Sequence, residues 1–224
     1  MDGEMGVTDW YFELPIVTRV YFTGAMLTTL ACTLDLVSPF SLYLNAQLIW
    51  NKFQFHRLVT TFLFFAPTIS IDLVFQMFFL VRYCRALEDT SFRNRPADML
   101  VMLVFSALLM VLFVSCFSSA LLFLGPSLTF MMVYVWGRRN PHQQLSFLGL
   151  LPFKAPFLPW VLLGFSWMLG SSVLVDVLGI IVGHVYFYLE DVFPAVAESR
   201  GWRIRKILHT PAVLHTLLGT QRED

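Results

Sequence analysis

Residues 99–137 read MLVMLVFSALLMVLFVSCFSSALLFLGPSLTFMMVYVWG, a run of 39 residues without one Asp, Glu, Lys or Arg. One bilayer-spanning helix needs about 20 predominantly apolar residues. The run therefore predicts two spans joined by a tight turn. Its only polar cluster, Ser115-Cys116-Phe117-Ser118-Ser119, is where the turn is expected. The composition agrees. Hydrophobic residues make up 57% of the chain and charged residues 13%, where a soluble domain carries about 25% charged. Most side chains must face lipid or other helices.

Working outward, Ala155–Leu189 contains a single charged residue, Asp176. It predicts two short spans broken at Gly170-Ser171-Ser172; one long span with an interfacial piece is the alternative. Val20–Leu34 predicts a first span, extended by Arg19 snorkelling at its end. Leu58–Val81 predicts a second, interrupted by Pro67 and Asp72. The expected architecture is thus an all-α membrane protein of six spans. Leu36–Arg57, between the first two, is polar and Pro-marked but rich in rings, among them Phe40, Tyr43, Trp50, Phe53 and Phe55. Such a segment suits the bilayer surface.

The basic residues orient the bundle. With six spans, one side holds Arg19, the group Arg82 to Arg95, Arg138, Arg139, Lys154 and everything basic from Arg200 on: 13 residues against Lys52 and Arg57 alone. Basic loops stay cytosolic, so both termini are expected in the cytosol and Leu36–Arg57 on the far side. Residues 1–18 then form a cytosolic segment, 19–190 the membrane domain and 191–224 a cytosolic tail. Met1–Glu13 is acidic where a secretory signal would be basic, so the first span is expected to act as its own insertion signal. The fourth span, about Leu121–Trp136, and the fifth, about Pro156–Gly170, are short. Roughly 16 residues cover about 24 Å against a hydrocarbon core of about 30 Å, which predicts local membrane thinning.

Equal numbers of basic and acidic residues, 15 each, give no footing for nucleic acid. Cys32, Cys84 and Cys116 lack metal or redox spacing, and neither metal nor cofactor is expected. Polar residues at membrane depth are costly and mark function; the candidates are Asp72, Gln76, Ser127, Asp176 and His184. Asp176 and His184, about two turns apart, are expected to share a helix face. Ser127 in Gly125-Pro126-Ser127-Leu128, joined to His184 across two helices, would form a minimal protease dyad. Helix packing is the competing role for both. Gly179 and Gly183, spaced G-x-x-x-G, predict close approach of the last span to a neighbour, expected to be the fourth. Arg57 is expected to grip loop carbonyls or lipid phosphate. Arg95-Pro96-Ala97-Asp98 reads as a helix start, with Pro at the first turn and Asp98 on the helix dipole.

Several ordered stretches resemble the derlin family, the rhomboid pseudoproteases of endoplasmic-reticulum quality control. They are Leu14–Arg19, Phe53-Gln54-Phe55-His56-Arg57-Leu58, Tyr83–Glu88, Ser91–Asp98, Tyr134-Val135-Trp136, Ala155–Leu162, Gly179-x-x-x-Gly183-His184-x-Tyr186 and Leu189–Pro194. The resemblance implies a rhomboid-like six-span bundle in the endoplasmic-reticulum membrane. It implies a non-catalytic channel or scaffold for retrotranslocation of misfolded lumenal or membrane clients. The implied partners are a ubiquitin ligase complex, the ATPase valosin-containing protein, membrane lipids and a homo- or hetero-oligomeric assembly. The family's Trp-Arg motif falls on His56-Arg57, so only its Arg carries over. Rhomboid proteases have Gly-x-Ser-Gly where Gly125-Pro126-Ser127-Leu128 stands, and the second Gly is replaced. Registering on Tyr134-Val135-Trp136 instead puts Gly125 near the nucleophile position. The tail Leu218–Asp224 does not show the basic, glycine-rich box with which many members dock the ATPase; an adaptor and a truncated sequence are the two explanations.

Overall fold

The computed structural model describes residues 6–117, 122–147, 151–168, 170 and 172–201. The tail from residue 202, with its basic residues and the Leu218–Asp224 reading, lies outside the described residues. So do Met1 to Met5, the Ser118-Ser119 half of the expected turn, Leu121 and Ser171.

The chain opens with a short helix, α1 (Val7–Phe12), and Pro15 then starts α2 (Ile16–Thr33). The first N–H groups of a helix have no partner inside it. Those of Val17 and Thr18 donate to the Glu88 carboxylate, both at 2.9 Å, and the Thr18 hydroxyl adds a third bond at 2.8 Å. Arg19 folds back onto the carbonyls of Phe12 and Leu14, both at 2.8 Å. After α2 come a 3-10 turn at Pro39–Ser41, α3 (Ala46–Lys52) and α4 (Arg57–Leu63). Asn45 caps α3 through the Leu48 N–H, and Phe53 ends it in the left-handed region at φ 53.

The expected span Leu58–Val81 is not one helix. The chain leaves helix at Phe64, passes Pro67, and restarts as α5 (Ile71–Thr90), capped by the Ser70 hydroxyl on Leu73 N–H. Proline lacks the donor that a continuing helix needs, and Ser is a strong cap. The apolar count across the break gave the illusion of continuity. After Asn94 at φ 60, α6 (Pro96–Phe117) begins on its proline. It runs through Ser115, Cys116 and Phe117, so the first half of the expected turn is helix. Next comes α7 (Gly125–Arg139), shifted about four residues downstream of the expected fourth span because Pro126 fits only the first turn.

An antiparallel hairpin follows, absent from the sequence reading: β1 (Gln144–Phe147) pairs with β2 (Leu151–Lys154), Gln144 opposite Lys154 and Phe147 opposite Leu151. A 3-10 turn at Ala155–Phe157 leads to α8 (Leu158–Met168), and α9 (Val173–Phe187) passes through a π turn (Tyr188–Val192) into α10 (Phe193–Ser199). The wide turn precedes Pro194, whose missing N–H could not have bonded the Glu190 carbonyl. This helical run continues past residue 190 to Ser199.

Three helical stretches among the described residues are long and apolar enough to cross a membrane: Ile16–Thr33, Pro96–Cys116 and Val173–Ser199. A shorter apolar helical stretch covers Ala155–Met168. The core centres on α7, buried along nearly its whole length, with Met131, Met132, Val133 and Val135 at or near zero exposure. Helices α4, α5, α6, α8 and α9 all pack on it, while the outer surface keeps large apolar side chains such as Leu108, Leu112 and Trp167.

Candidate functional site: a glycine seam, an arginine clamp and a polar cavity

The tightest packing among the described residues is the seam between α7 and α9. A β-carbon on Gly179 would run into the Ser127 carbonyl oxygen and stand 2.6 Å from Phe130 Cβ; on Gly183 it would stand 3.0 Å from Tyr134 Cβ and 3.2 Å from the Met131 carbonyl. Only side chains without a β-carbon allow this approach. Gly125, expected alongside Gly179 and Gly183 to pack helices, and Gly137, which the sequence did not mark, seat the ends of α7. A β-carbon on Gly125 would lie 2.8 Å from the Phe64 carbonyl, and one on Gly137 would lie 2.6 Å from that of Ala155.

The register of this seam decides the fate of Ser127 and His184. The Ser127 hydroxyl donates to the Val175 carbonyl at 2.7 Å, and His184 Nδ1 shares a 2.6 Å hydrogen bond with the Tyr134 hydroxyl. Ser127 thus faces the start of α9 and His184 faces a residue seven positions further along α7, about 10 Å of helix rise away. The alternative dyad of Ser127 and His184 is not assembled. Asp176 and His184 do not share surroundings either. Eight residues advance a helix by about 80° beyond two full turns. Asp176 is buried at 4% exposure while His184 is exposed.

Arg57 holds the segment between α2 and α4. It is 6% exposed. Its Nη1 donates to the carbonyls of Phe40 at 3.1 Å and Tyr43 at 3.0 Å, and its Nε to Gln54 Oε1 at 2.7 Å. The guanidinium lies 5.0 Å from the Tyr43 ring centroid, a cation–π distance. Gln54 and Arg57 are thus brought together, whereas His56 points to the surface. The clamp leaves Leu36, Phe40, Trp50, Phe53 and Phe55 outward, Phe40 at 80% exposure. The same segment is tied to the start of α7: Thr61 accepts from Leu124 N–H at 2.9 Å, and Leu44 N–H donates to the Leu122 carbonyl at 2.9 Å.

Between α5, α7, α8 and α9 lies a cavity of about 300 Å³. Asp72, Gln76 and Asp176 line it together with Phe75, Phe130 and Phe165, so three of the predicted intramembrane polar residues meet there, and Ser127 and His184 do not. At the opposite end of α5, Pro96 begins α6, and Arg95 Nη1 approaches Asp98 Oδ2 at 3.7 Å. Two polar contacts were not foreseen from the sequence. One is the Glu88 cap on α2. The other is the pair Arg139–Asp191, at 3.0 Å with a second guanidinium nitrogen at 3.2 Å, beneath the Phe92 ring. Both join residues over 50 positions apart, beyond any local spacing rule. No group of three or more His, Cys, Asp or Glu stands together among the described residues.

Fold and site define a helical membrane protein centred on a glycine-packed helix pair in which Ser127 is engaged with the Val175 carbonyl and His184 with Tyr134. The sequence profile of the Der1-like family matches residues 14–212. Derlin-2.2 of Arabidopsis thaliana is 46% identical over 224 residues, covering 96% of this chain and 89% of that protein. Derlin-2 of Oryza sativa subsp. japonica is 48% identical over 220 residues, covering 94% and 86%. A probable derlin-2 homolog of Dictyostelium discoideum is 43% identical over 220 residues, covering 96% and 84%. The chain belongs to the Der1-like family, the derlins.

Proposed function

We propose that this chain is a non-catalytic scaffold or channel for retrotranslocation of misfolded proteins from the endoplasmic reticulum. The observation that carries the reading is the commitment of Ser127 to the Val175 carbonyl and of His184 to Tyr134. A nucleophile needs a base within hydrogen-bond reach, and here each group is engaged by a different partner. What the centre supplies instead is a rigid seam.

In this reading the chain spans the endoplasmic-reticulum membrane six times as a rhomboid-like bundle, with residues 19–190 as the membrane domain and both termini cytosolic. The asymmetry of basic residues supports that orientation. The Arg57-clamped segment then lies at the lumenal surface with its rings among headgroups. The 15 residues of α7 and the 11 of α8 rise about 22 and 16 Å, short of a hydrocarbon core of about 30 Å. Lipid on that flank thins to match, which lowers the barrier for a client crossing there. The partners are misfolded lumenal or membrane clients, a ubiquitin ligase complex, membrane lipids, valosin-containing protein either directly or through an adaptor, and further copies or relatives of the chain. The test is pulse-chase in cells stripped of their own derlins. The chain should shorten the half-life of a misfolded lumenal client, and an unchanged half-life would remove the reading.

A further inference from the structure

The cavity between α5, α7, α8 and α9 is walled largely by rings and aliphatic side chains; its polar edge holds Asp72, Gln76 and Asp176 with the hydroxyls of Thr129, Ser166 and Ser172 beside them, Ser166 bonding the Asp176 carboxylate. Asp176 is buried, and its Oδ2 has no hydrogen-bond partner among the described residues. The Gln76 side-chain nitrogen is committed to Asp72 Oδ2, which leaves Gln76 Oε1 buried and unpartnered too. Both orphan atoms are acceptors, and among the described residues no Lys, Arg or His lines the space. A buried acceptor without a donor is costly, more so for a carboxylate.

Asp72 and Asp176 stand in the first turns of α5 and α9. The positive ends of those helices offset part of their charge, about half a unit each, but supply no bond to Oδ2. What the edge lacks is a group that only donates and carries positive charge. Lys ammonium and Arg guanidinium are the side chains of that kind. The rest of the cavity suits their stems: Phe75 and Phe79 can flank an aliphatic chain and face a cation. A volume of about 300 Å³ lies at the floor of the range for small-molecule pockets, enough for one extended side chain. Phe75 of α5 and Phe165 of α8 meet edge-on at 6.4 Å, with Phe75 itself 45% exposed. The cavity therefore sits just behind the apolar outer surface, where an embedded segment would pass.

We propose that Asp176, with Asp72 and Gln76, recognises a protonated Lys or Arg carried by a membrane-embedded segment of a client polypeptide. The inference rests on the reading of the chain as a retrotranslocation scaffold and names a substrate class for it. An unpaired basic residue in a membrane segment is expensive, so it marks a chain that has lost its proper partner.

The test uses the full-length protein in phosphatidylcholine nanodiscs. The probes are two membrane-spanning peptides, identical except for one Lys or Leu near the lumenal third, each with a photoactivatable group beside that position. The Lys peptide should crosslink to α5, α8 or α9 several-fold more than the Leu peptide. Asp72→Asn with Asp176→Asn should erase the preference at unchanged thermal stability. Equal crosslinking of the two peptides, or a preference that survives the double variant, overturns the proposal. Should the double variant misfold, Asp72→Lys decides alone, since Asp72 is exposed. It should move the preference from Lys toward a Glu peptide, and an unmoved preference overturns the idea. Loss of the Lys signal when phosphatidylethanolamine is added would make a lipid ammonium the occupant and also overturn it. Binding is read without degradation. A retained Lys preference with no effect on client half-life would therefore fault the scaffold reading and leave this recognition standing.

Discussion

Substituting Gly179 by Ala perturbs the seam by one carbon atom. That carbon would meet the Ser127 carbonyl oxygen, Phe130 Cβ at 2.6 Å and Met131 N at 3.1 Å. Two of these are backbone atoms inside the buried helix α7 and cannot rotate away. Carbon contacts are comfortable at about 3.5–4.0 Å, so α9 must back off by about 1 Å. A gap of that size forfeits up to half of each contact across it, and each is worth about 0.1–0.2 kcal/mol. With on the order of 30 atom pairs crossing the seam, the loss is about 2 kcal/mol, within the range of about 1–3 kcal/mol for overpacked cores. Gly183→Ala meets Tyr134 Cβ and Cδ1, both at 3.0 Å, and needs a shift of only tenths of an ångström. It should cost less than half as much. Gly164 in α8 has nothing within 4 Å of such a carbon, and Ala there gains up to about 1 kcal/mol of helix propensity. The assay is thermal unfolding of the three variants in one mild detergent. At about 2–4 °C per kcal/mol for a chain of this size, Gly179→Ala should fall by about 4–8 °C, Gly183→Ala by less, and Gly164→Ala should hold or rise. A Gly179→Ala protein as stable as Gly164→Ala would refute the seam.

Three further outcomes follow from single contacts. Arg57→Ala strips donors from the carbonyls of Phe40 and Tyr43 and from Gln54; limited proteolysis should then cut within residues 36–56 before any other site, and Arg57→Lys should not restore protection because a point charge cannot replace the fork. Glu88→Gln should lower stability by about 1–2 kcal/mol, since an amide accepts through one oxygen only and α2 loses part of its cap; an unchanged melting temperature would show that the α2 start does not depend on that carboxylate. Asp98→Ala should remove about 0.5–1 kcal/mol of helix-dipole stabilisation from α6, and a larger loss in a ligase pull-down at unchanged melting temperature would point to a binding role instead.

What the sequence made legible is what repeats locally. The charge-free run of residues 99–137 told of helices at membrane depth because apolar composition is additive along the chain. Gly179 and Gly183 told of close approach because a four-residue spacing sets one face. Arg57 told of a clamp because a lone Arg amid rings has few other places to put five donors. What stayed hidden is set by which helix lies beside which. Glu88 looks like an ordinary acid in an Arg-Ala-Leu-Glu-Asp run until the start of α2 is brought to it from 70 residues away. Ser127 and His184 look like a pair on paper, yet the glycine seam fixes the register so that Val175 and Tyr134 are their partners. The break before α5 was visible in Pro67 and Ser70, but apolar residues on both sides outweighed it. The cavity needs four helices at once, and Asp72 and Asp176 could be marked only as costly, not as neighbours.

The central claim is that packing along α7 and α9, not acyl-transfer chemistry, carries the function. The measurement is the half-life of one misfolded lumenal client in derlin-depleted cells expressing matched levels of two variants: Ser127→Ala with His184→Ala, and Gly179→Leu. The first removes both groups of the conceivable dyad and costs two hydrogen bonds, each about 0.6 kcal/mol in a membrane. The second forces a branched side chain against the Ser127 carbonyl and Phe130. The account predicts client turnover close to wild type for the double alanine variant and none above background for Gly179→Leu. Turnover abolished by the double alanine variant, with Gly179→Leu still active, would contradict it.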